Sequence, residues 1–202
     1  MSIKIGVVAV QGAVSEHLEA FEKALRDCGR KGQAIPVRRP KDLEGVSALA
    51  IPGGESTTIS KLLIKFGLFD GIVRQAEKGM PILGTCAGLV LLAKEGDEEV
   101  ARTKTRLLGL MDMAVDRNAF GRQRESFESE IKMELPGDIS GKPFPAVFIR
   151  APAITRVWGR CKALARVEDK IVLAEQGNLM AAAFHPELTQ DCRIHARLIG
   201  KI

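Results

Sequence analysis

The stretch Met80-Pro81-Ile82-Leu83-Gly84-Thr85-Cys86-Ala87-Gly88-Leu89-Val90-Leu91-Leu92-Ala93 decides the fold. One apolar run ends in small residues, and a second begins directly after them. That order reads as strand, sharp turn, helix, with Cys86 at the apex. It matches the G-x-nucleophile-x-G elbow, with sulfur in place of a serine oxygen. The glycines let the backbone turn without a Cβ clash and present the thiol at the carboxyl end of a strand. The first turn of the helix aims N–H groups and a positive dipole end at the sulfur, which favours thiolate, the reactive form. A small buried cysteine at a tight turn would leave the same pentapeptide, so Gly84–Gly88 needs corroboration elsewhere in the chain.

Outward from this unit the pattern repeats. Ile3 to Val10 is a near-continuous apolar run, as expected of a strand buried on both faces of a parallel sheet. Val14, Leu18, Phe21 and Leu25 then recur on one face of a helix spanning Val14 to Cys28. Strands are expected at Ala34 to Val37, where Pro36 interrupts, and at Val46 to Ile51, which ends in Pro52-Gly53-Gly54. Helices follow at Thr57 to Phe66 and Phe69 to Lys78. The alternation defines an α/β fold with a parallel sheet, whose sites lie beyond the carboxyl ends of the strands. The second half carries short strands at Leu110 to Val115, Ser126 to Met133, Ala146 to Ile149, Ala163 to Val167, Ile171 to Ala174 and Leu179 to Phe184. Several are expected to be antiparallel or edge strands, and a last helix runs from Thr189 to Ile199. With no repeat or linker in 202 residues, the expectation is one domain, 1–202.

Composition excludes several classes. Hydrophobic residues make up 46% and charged residues 27%, and the net charge of +5 is spread among acids rather than gathered into a basic stripe. There is no tyrosine. Nucleic-acid binding is therefore not expected. The first apolar run is too short for a membrane span or a signal core. Cys28, Cys86, Cys161 and Cys192 lack paired spacing, so a reducing, cytoplasmic setting is expected instead of a disulfide framework or zinc site.

A cysteine nucleophile needs a base. His17 and His195 fall inside amphipathic helices, where a packed or solvated histidine is expected. His185 closes the apolar strand Met180 to Phe184 and precedes Pro186-Glu187. The proline biases His185 towards extended backbone, and residues two apart then project to one side. Glu187 can thus fix the imidazole and stabilise its protonated form. The oxyanion of an acyl-transfer step requires N–H donors. The residue after the nucleophile, Ala87, supplies one, and Gly54 of the Pro52-Gly53-Gly54-Glu55-Ser56-Thr57-Thr58 loop the other. That loop lacks the lysine of a phosphate-binding P-loop.

These segments closely resemble the glutaminase subunits of pyridoxal 5'-phosphate synthase, within the class I (triad-type) glutamine amidotransferases. The resemblance rests on Val10-Gln11-Gly12-Ala13-Val14 with Glu16-His17, on Ile51 to Thr58, and on Gly84 to Gly88. Arg117-Asn118-Ala119-Phe120-Gly121-Arg122-Gln123 with Ser126-Phe127-Glu128, Phe148-Ile149-Arg150-Ala151-Pro152, and Phe184-His185-Pro186-Glu187-Leu188-Thr189 complete it. It implies a three-layer α/β/α, flavodoxin-like fold with additional antiparallel strands in the second half. It also implies Cys86, His185 and Glu187 as the triad, and a glutamine pocket of Gly54, Glu55, Ser56, Arg117, Ile149 and Arg150. The expected partner is a (βα)8-barrel synthase subunit in a large hetero-oligomer, with Gln11 coupling the two. No cofactor or metal is expected for glutamine hydrolysis. A glutaminase of another pathway, or a silent scaffold that keeps the fold, would share part of this pattern. Loop lengths at Cys28 to Pro36 and the charged stretch Gly96 to Arg106 depart from it.

Overall fold

The computed structural model describes residues 2–120, 126–134 and 141–202. The segment Gly121-Arg122-Gln123 of the motif above lies outside them. Twelve strands and six α-helices follow in chain order: β1 (Ile3–Val8), α1 (Val14–Asp27), β2 (Gly32–Val37), β3 (Ala48–Ile51), α2 (Ser56–Lys65), α3 (Phe69–Glu77), β4 (Ile82–Thr85), α4 (Ala87–Leu92), β5 (Ala93–Glu95), α5 (Glu98–Arg102), β6 (Met111–Asp116), β7 (Ser126–Ile131), β8 (Phe144–Ile149), β9 (Ala153–Val157), β10 (Lys162–Val167), β11 (Lys170–Gln176), β12 (Leu179–Ala182) and α6 (Arg193–Ile199), counted among the described residues.

Ten strands form one sheet in the order β2-β1-β3-β4-β12-β11-β9-β6-β5, with β10 also paired to β11. The run from β2 to β12 is parallel throughout. Beyond it β11, β9 and β6 pair antiparallel. Strand order reverses at β1, because β2 lies on one side of it and β3 on the other. Right-handed crossovers leaving in opposite directions put their helices on opposite faces. Two helical groups flank the sheet accordingly: α1 packs with α6, and α2 packs with α3 and α4. This reversal is the switch point at which open α/β sheets build their crevices.

The core follows from the apolar runs. The central strands β3 and β4 are buried along their whole length, and every residue of α4 is buried. Pro36 is accommodated because β2 is an edge strand whose only partner is β1. The helix expected from Thr189 begins only at Arg193. Thr189 Oγ1 accepts from the Asp191 N–H and the Asp191 carboxylate accepts from the Arg193 N–H, which holds this segment in turns. Strands β5 and β9 and helix α5 were not anticipated. No helix among the described residues is long and apolar enough to cross a membrane.

A separate hairpin of β7 and β8 closes one side of the site. Its Phe148 lies in a chain of aromatic contacts with Phe127 and Phe184, at ring-centroid distances of 4.6 and 5.7 Å. Phe184 directly precedes His185, so this cluster anchors the end of the β12 segment.

Helix α4 meets β3 so closely that a Cβ on Gly88 would collide with the Ile51 carbonyl oxygen. Gly88→Ala should therefore destabilise the fold by about 3 kcal/mol or more, at the upper end of overpacking costs. Chemical denaturation checks this, and an unchanged midpoint would refute the packing account.

Candidate active site

Four parallel strands deliver their carboxyl ends to one edge of the sheet. Residues after β1 supply Gln11 and Gly12, those after β3 supply Gly53 to Ser56, those after β4 supply Cys86, and those after β12 supply His185. Thr85 pairs with Ala182 across β4 and β12, and the Cys86 N–H continues the ladder to the Ala182 carbonyl at 2.8 Å. This register brings together residues 99 positions apart in the chain, Cys86 and His185.

Cys86 adopts φ 49 and ψ −103 immediately before α4, a strained conformation for a residue with a side chain. The strain matches the elbow expected at this position. Its Sγ lies 3.8 Å from the Ile149 carbonyl at the end of β8. The space around the sulfur is tight: a Cβ on Gly53 would collide with His185 Cε1 and come within 3.3 Å of Cys86 Cβ.

His185 Nδ1 and Glu187 Oε1 are 2.7 Å apart, and both residues are buried. The intervening proline leads into a short 3-10 turn (Pro186–Leu188), so the carboxylate folds back under the ring. Burial works against a charged imidazole, but hydrogen bonds to Cys86 and Glu187 and their negative charge prevail and hold His185 up at about 10. Burial also opposes the Glu187 carboxylate. The His17 and His185 rings outweigh it and keep Glu187 below its ordinary value. His185 thus sits as an imidazolium with its counter-charge fixed behind it.

The first glycine loop is tied to the β1–α1 turn. Gln11 Oε1 accepts from the Glu55 N–H at 2.9 Å, and the Ala13 N–H donates to the Gly53 carbonyl at 3.2 Å. Gly12, at φ 107, has no room for a Cβ beside that carbonyl. Glu55 caps α2, accepting from the Thr57 N–H and from both the N–H and hydroxyl of Thr58. Arg117 Nη2 donates to the same carboxylate at 3.1 Å. Four donors fill the acceptor positions of a carboxylate. Partial burial opposes its charge, but the bonds from Thr58 and Thr57 hold Glu55 down at about 2.

Arg117 is gripped from the other side as well. Its Nη1 lies 3.3 Å from both Thr57 Oγ1 and Thr103 Oγ1, and its backbone N–H donates to Asp97. Thr105 links the two threonine hydroxyls at 2.8 Å each. The charged stretch Gly96 to Arg106 is therefore folded around Arg117. Sequence reasoning left that stretch unassigned and did not single out Thr57, Thr103 or Thr105. Ser56 is buried at the start of α2, whereas Ile149, the last residue of β8, and Arg150 directly after it are exposed, with Arg150 at φ 42.

The structure also places His17 and His195, read from sequence as ordinary helix residues, in full burial behind Glu187. A signal was present. His17 falls three residues after Val14 and four before Phe21, on the buried stripe of α1. The remaining cysteines lack such surroundings: burial pushes Cys161 up to about 11 and raises Cys192. All four are free.

This mostly parallel sheet flanked by helices, with a cysteine elbow and a histidine at the ends of adjacent strands, is the architecture of a glutamine amidotransferase. The model of the SNO glutamine amidotransferase family matches residues 7–202, and the chain belongs to that family. It is 50% identical over 200 residues to a protein of Methanosarcina barkeri named pyridoxal 5'-phosphate synthase subunit PdxT, covering 99% of this chain and 98% of that one. The protein of the same name from Archaeoglobus fulgidus is 51% identical over 193 residues, covering 96% and 95%. A solved glutamine amidotransferase shares 43% identity and a TM-score of 0.85 over 98% of this chain and 97% of its own. PurLQS from Thermotoga maritima, at 16% identity and a TM-score of 0.65 over 100% and 95%, shares the fold.

The raised value of His185 has a consequence for stability. An unfolded histidine titrates near 6.5, so the stabilisation from the protonated ring is complete below about 6.5 and is lost as pH rises through about 10. Thermal unfolding followed between those limits should decline more steeply for the wild type than for Glu187→Gln, which removes the counter-charge. Parallel slopes would contradict the assignment.

Proposed function

We propose that the chain is the glutaminase subunit of a pyridoxal 5'-phosphate synthase, hydrolysing L-glutamine to L-glutamate and ammonia. The observation that carries this reading is the strained Cys86 elbow facing the His185–Glu187 pair. The relatives' names supply the synthase context. Residues 1–202 act as one amidotransferase domain. Four free cysteines suit a reducing cytoplasm.

The Cys86 thiolate attacks the side-chain amide carbon of glutamine, and the carbonyl oxygen takes up the negative charge. Backbone N–H groups of Gly54 and Ala87 hold that oxyanion. As it collapses, His185 gives its proton to the departing nitrogen and ammonia leaves, with a glutamyl thioester on Cys86. The now neutral His185 takes a proton from water, which attacks the thioester. Collapse of the second oxyanion releases glutamate and restores the thiolate–imidazolium pair. The high value of His185 suits its first duty, because the ring is protonated when the leaving group needs a proton.

Arg117 faces the α-carboxylate of glutamine, and the loop of Gly54, Glu55 and Ser56 lines the same pocket. Because the Glu55 carboxylate is already saturated, its contribution is to hold Arg117 and present its backbone. The α-ammonium then falls to backbone carbonyls, with those of Ile149 and Arg150 the nearest candidates.

Ammonia released into water would be protonated and lost, so transfer to a (βα)8-barrel synthase subunit within a large hetero-oligomer completes the function. Gln11, bonded to the backbone beside Gly54, is the coupling residue. Docking at the β1–α1 turn reaches the oxyanion loop through it. Cys86→Ala should cut ammonia release by at least about a thousandfold, as should alkylation of Cys86. The isolated chain should be a weak glutaminase that the synthase subunit stimulates. Equal turnover with and without that subunit would exclude the docking account, and activation by a different synthase would reassign the pathway.

A further inference from the structure

We propose that His17, backed by His195, is a positioning residue for glutamine hydrolysis, held by Thr85 with its Nε2 edge beside the second carboxylate oxygen of Glu187 and so fixing that carboxylate against His185. This rests on the reading of Cys86, His185 and Glu187 as the reacting row.

His17 lies on α1 and His195 on α6, and both are 0% exposed. His17 Nε2 is hydrogen-bonded to Thr85 Oγ1 at 3.0 Å and stands 3.3 Å from Glu187 Oε2, a buried oxygen with no hydrogen-bond partner among the described residues. Thr85 directly precedes Cys86. One imidazole therefore touches both the residue behind the nucleophile and the carboxylate behind the base. His17 Nδ1 lies 3.3 Å from His195 Nε2. Phe21 walls the pair, edge-on to His195 at 4.7 Å and stacked near His17 at 6.2 Å.

The proton positions follow from chemistry. A nitrogen facing a carboxylate oxygen must carry hydrogen, so His17 is protonated at Nε2. Burial lowers both rings from their ordinary value, which leaves them neutral and His17 Nδ1 bare. His195 Nε2 then donates to that bare nitrogen. The relay ends at His195 Nδ1, which has no hydrogen-bond partner among the described residues and is an acceptor in this tautomer. The chain of rings thus ends with the His17 Nε2 edge between Thr85 Oγ1 and Glu187 Oε2. The titratable groups around His17 are Glu187 and His185, Glu16 on its own helix, and His195 across from it.

A neutral donor is what this position requires. A lysine or arginine would satisfy the oxygen but would compete with His185 for the carboxylate's charge. A neutral imidazole orients Glu187 and leaves its charge to His185.

The test measures glutaminase activity in the complex with the synthase subunit, and the pH profile of Cys86 alkylation by iodoacetamide. His17→Leu should lower kcat about tenfold to 100-fold with KM within about twofold, and shift the alkylation profile to higher pH, because a loosened Glu187 supports the imidazolium beside the thiolate less well. His17→Gln places an N–H near Nε2 and should restore kcat to within about threefold of wild type. His17→Asn places its N–H on the Nδ1 side and should not. A packing role would leave the profile unmoved and make Gln no better than Asn or Leu, and either result overturns the proposal. If His17→Leu does not fold, the comparison of Gln with Asn decides. Ammonia release retained by Cys86→Ala would instead overturn the underlying reading, because His17 would have no reacting row to position.

Discussion

The parallel pairing of β12 with β4 is the constraint on which the rest depends. Its register sets Ala182 beside Thr85, and the two strands then release their chains at the same edge, one into Cys86 and the other towards His185. A slip by one residue would turn alternate side chains to the opposite face and remove the base from the sulfur. Everything around the pairing defends it. β3 and β11 flank the two strands, α4 covers β4, and the aromatic cluster anchors Phe184. The sheet is parallel where the site is built, and the strands that widen it beyond β12 pair antiparallel as far as β6.

Charge is handled by the same architecture. Glu187 is buried, and a lone carboxylate there would incur a desolvation cost of several kcal/mol. Two rings flank it: the protonated His185 meets one oxygen and carries the counter-charge, and the neutral His17 lies beside the other. The loop after β3 shows the same saturation at Glu55, where helix N–H groups, a hydroxyl and Arg117 converge. Both acids are held in one place before any substrate arrives, which is how a site avoids reorganising during the reaction.

Much of this was legible in sequence because it is local. The elbow is a contiguous strand, turn and helix, and His185-Pro186-Glu187 is a contiguous turn. Their backbone chemistry can be read without knowing what lies nearby. The parallel half of the sheet was legible for the same reason, through apolar runs punctuated by glycine. What escaped reading is nonlocal or short. Strand β5 has three residues and α5 five, too few for a period to appear. The grip of Asp97 and Thr103 on Arg117 depends on the chain returning across the sheet edge. His17 and His195 were passed over because a polar residue on an apolar stripe was read as incidental. Their partners, Glu187 and each other, come from segments far apart in the chain.

The left-handed turn at Cys86 carries a wider consequence. A side chain at φ 49 costs about 1–3 kcal/mol that a glycine would not incur. The turn itself would be less strained with glycine in place of Cys86. Backbone geometry alone asks for a glycine at this position, so what the cysteine adds to the turn is its thiol.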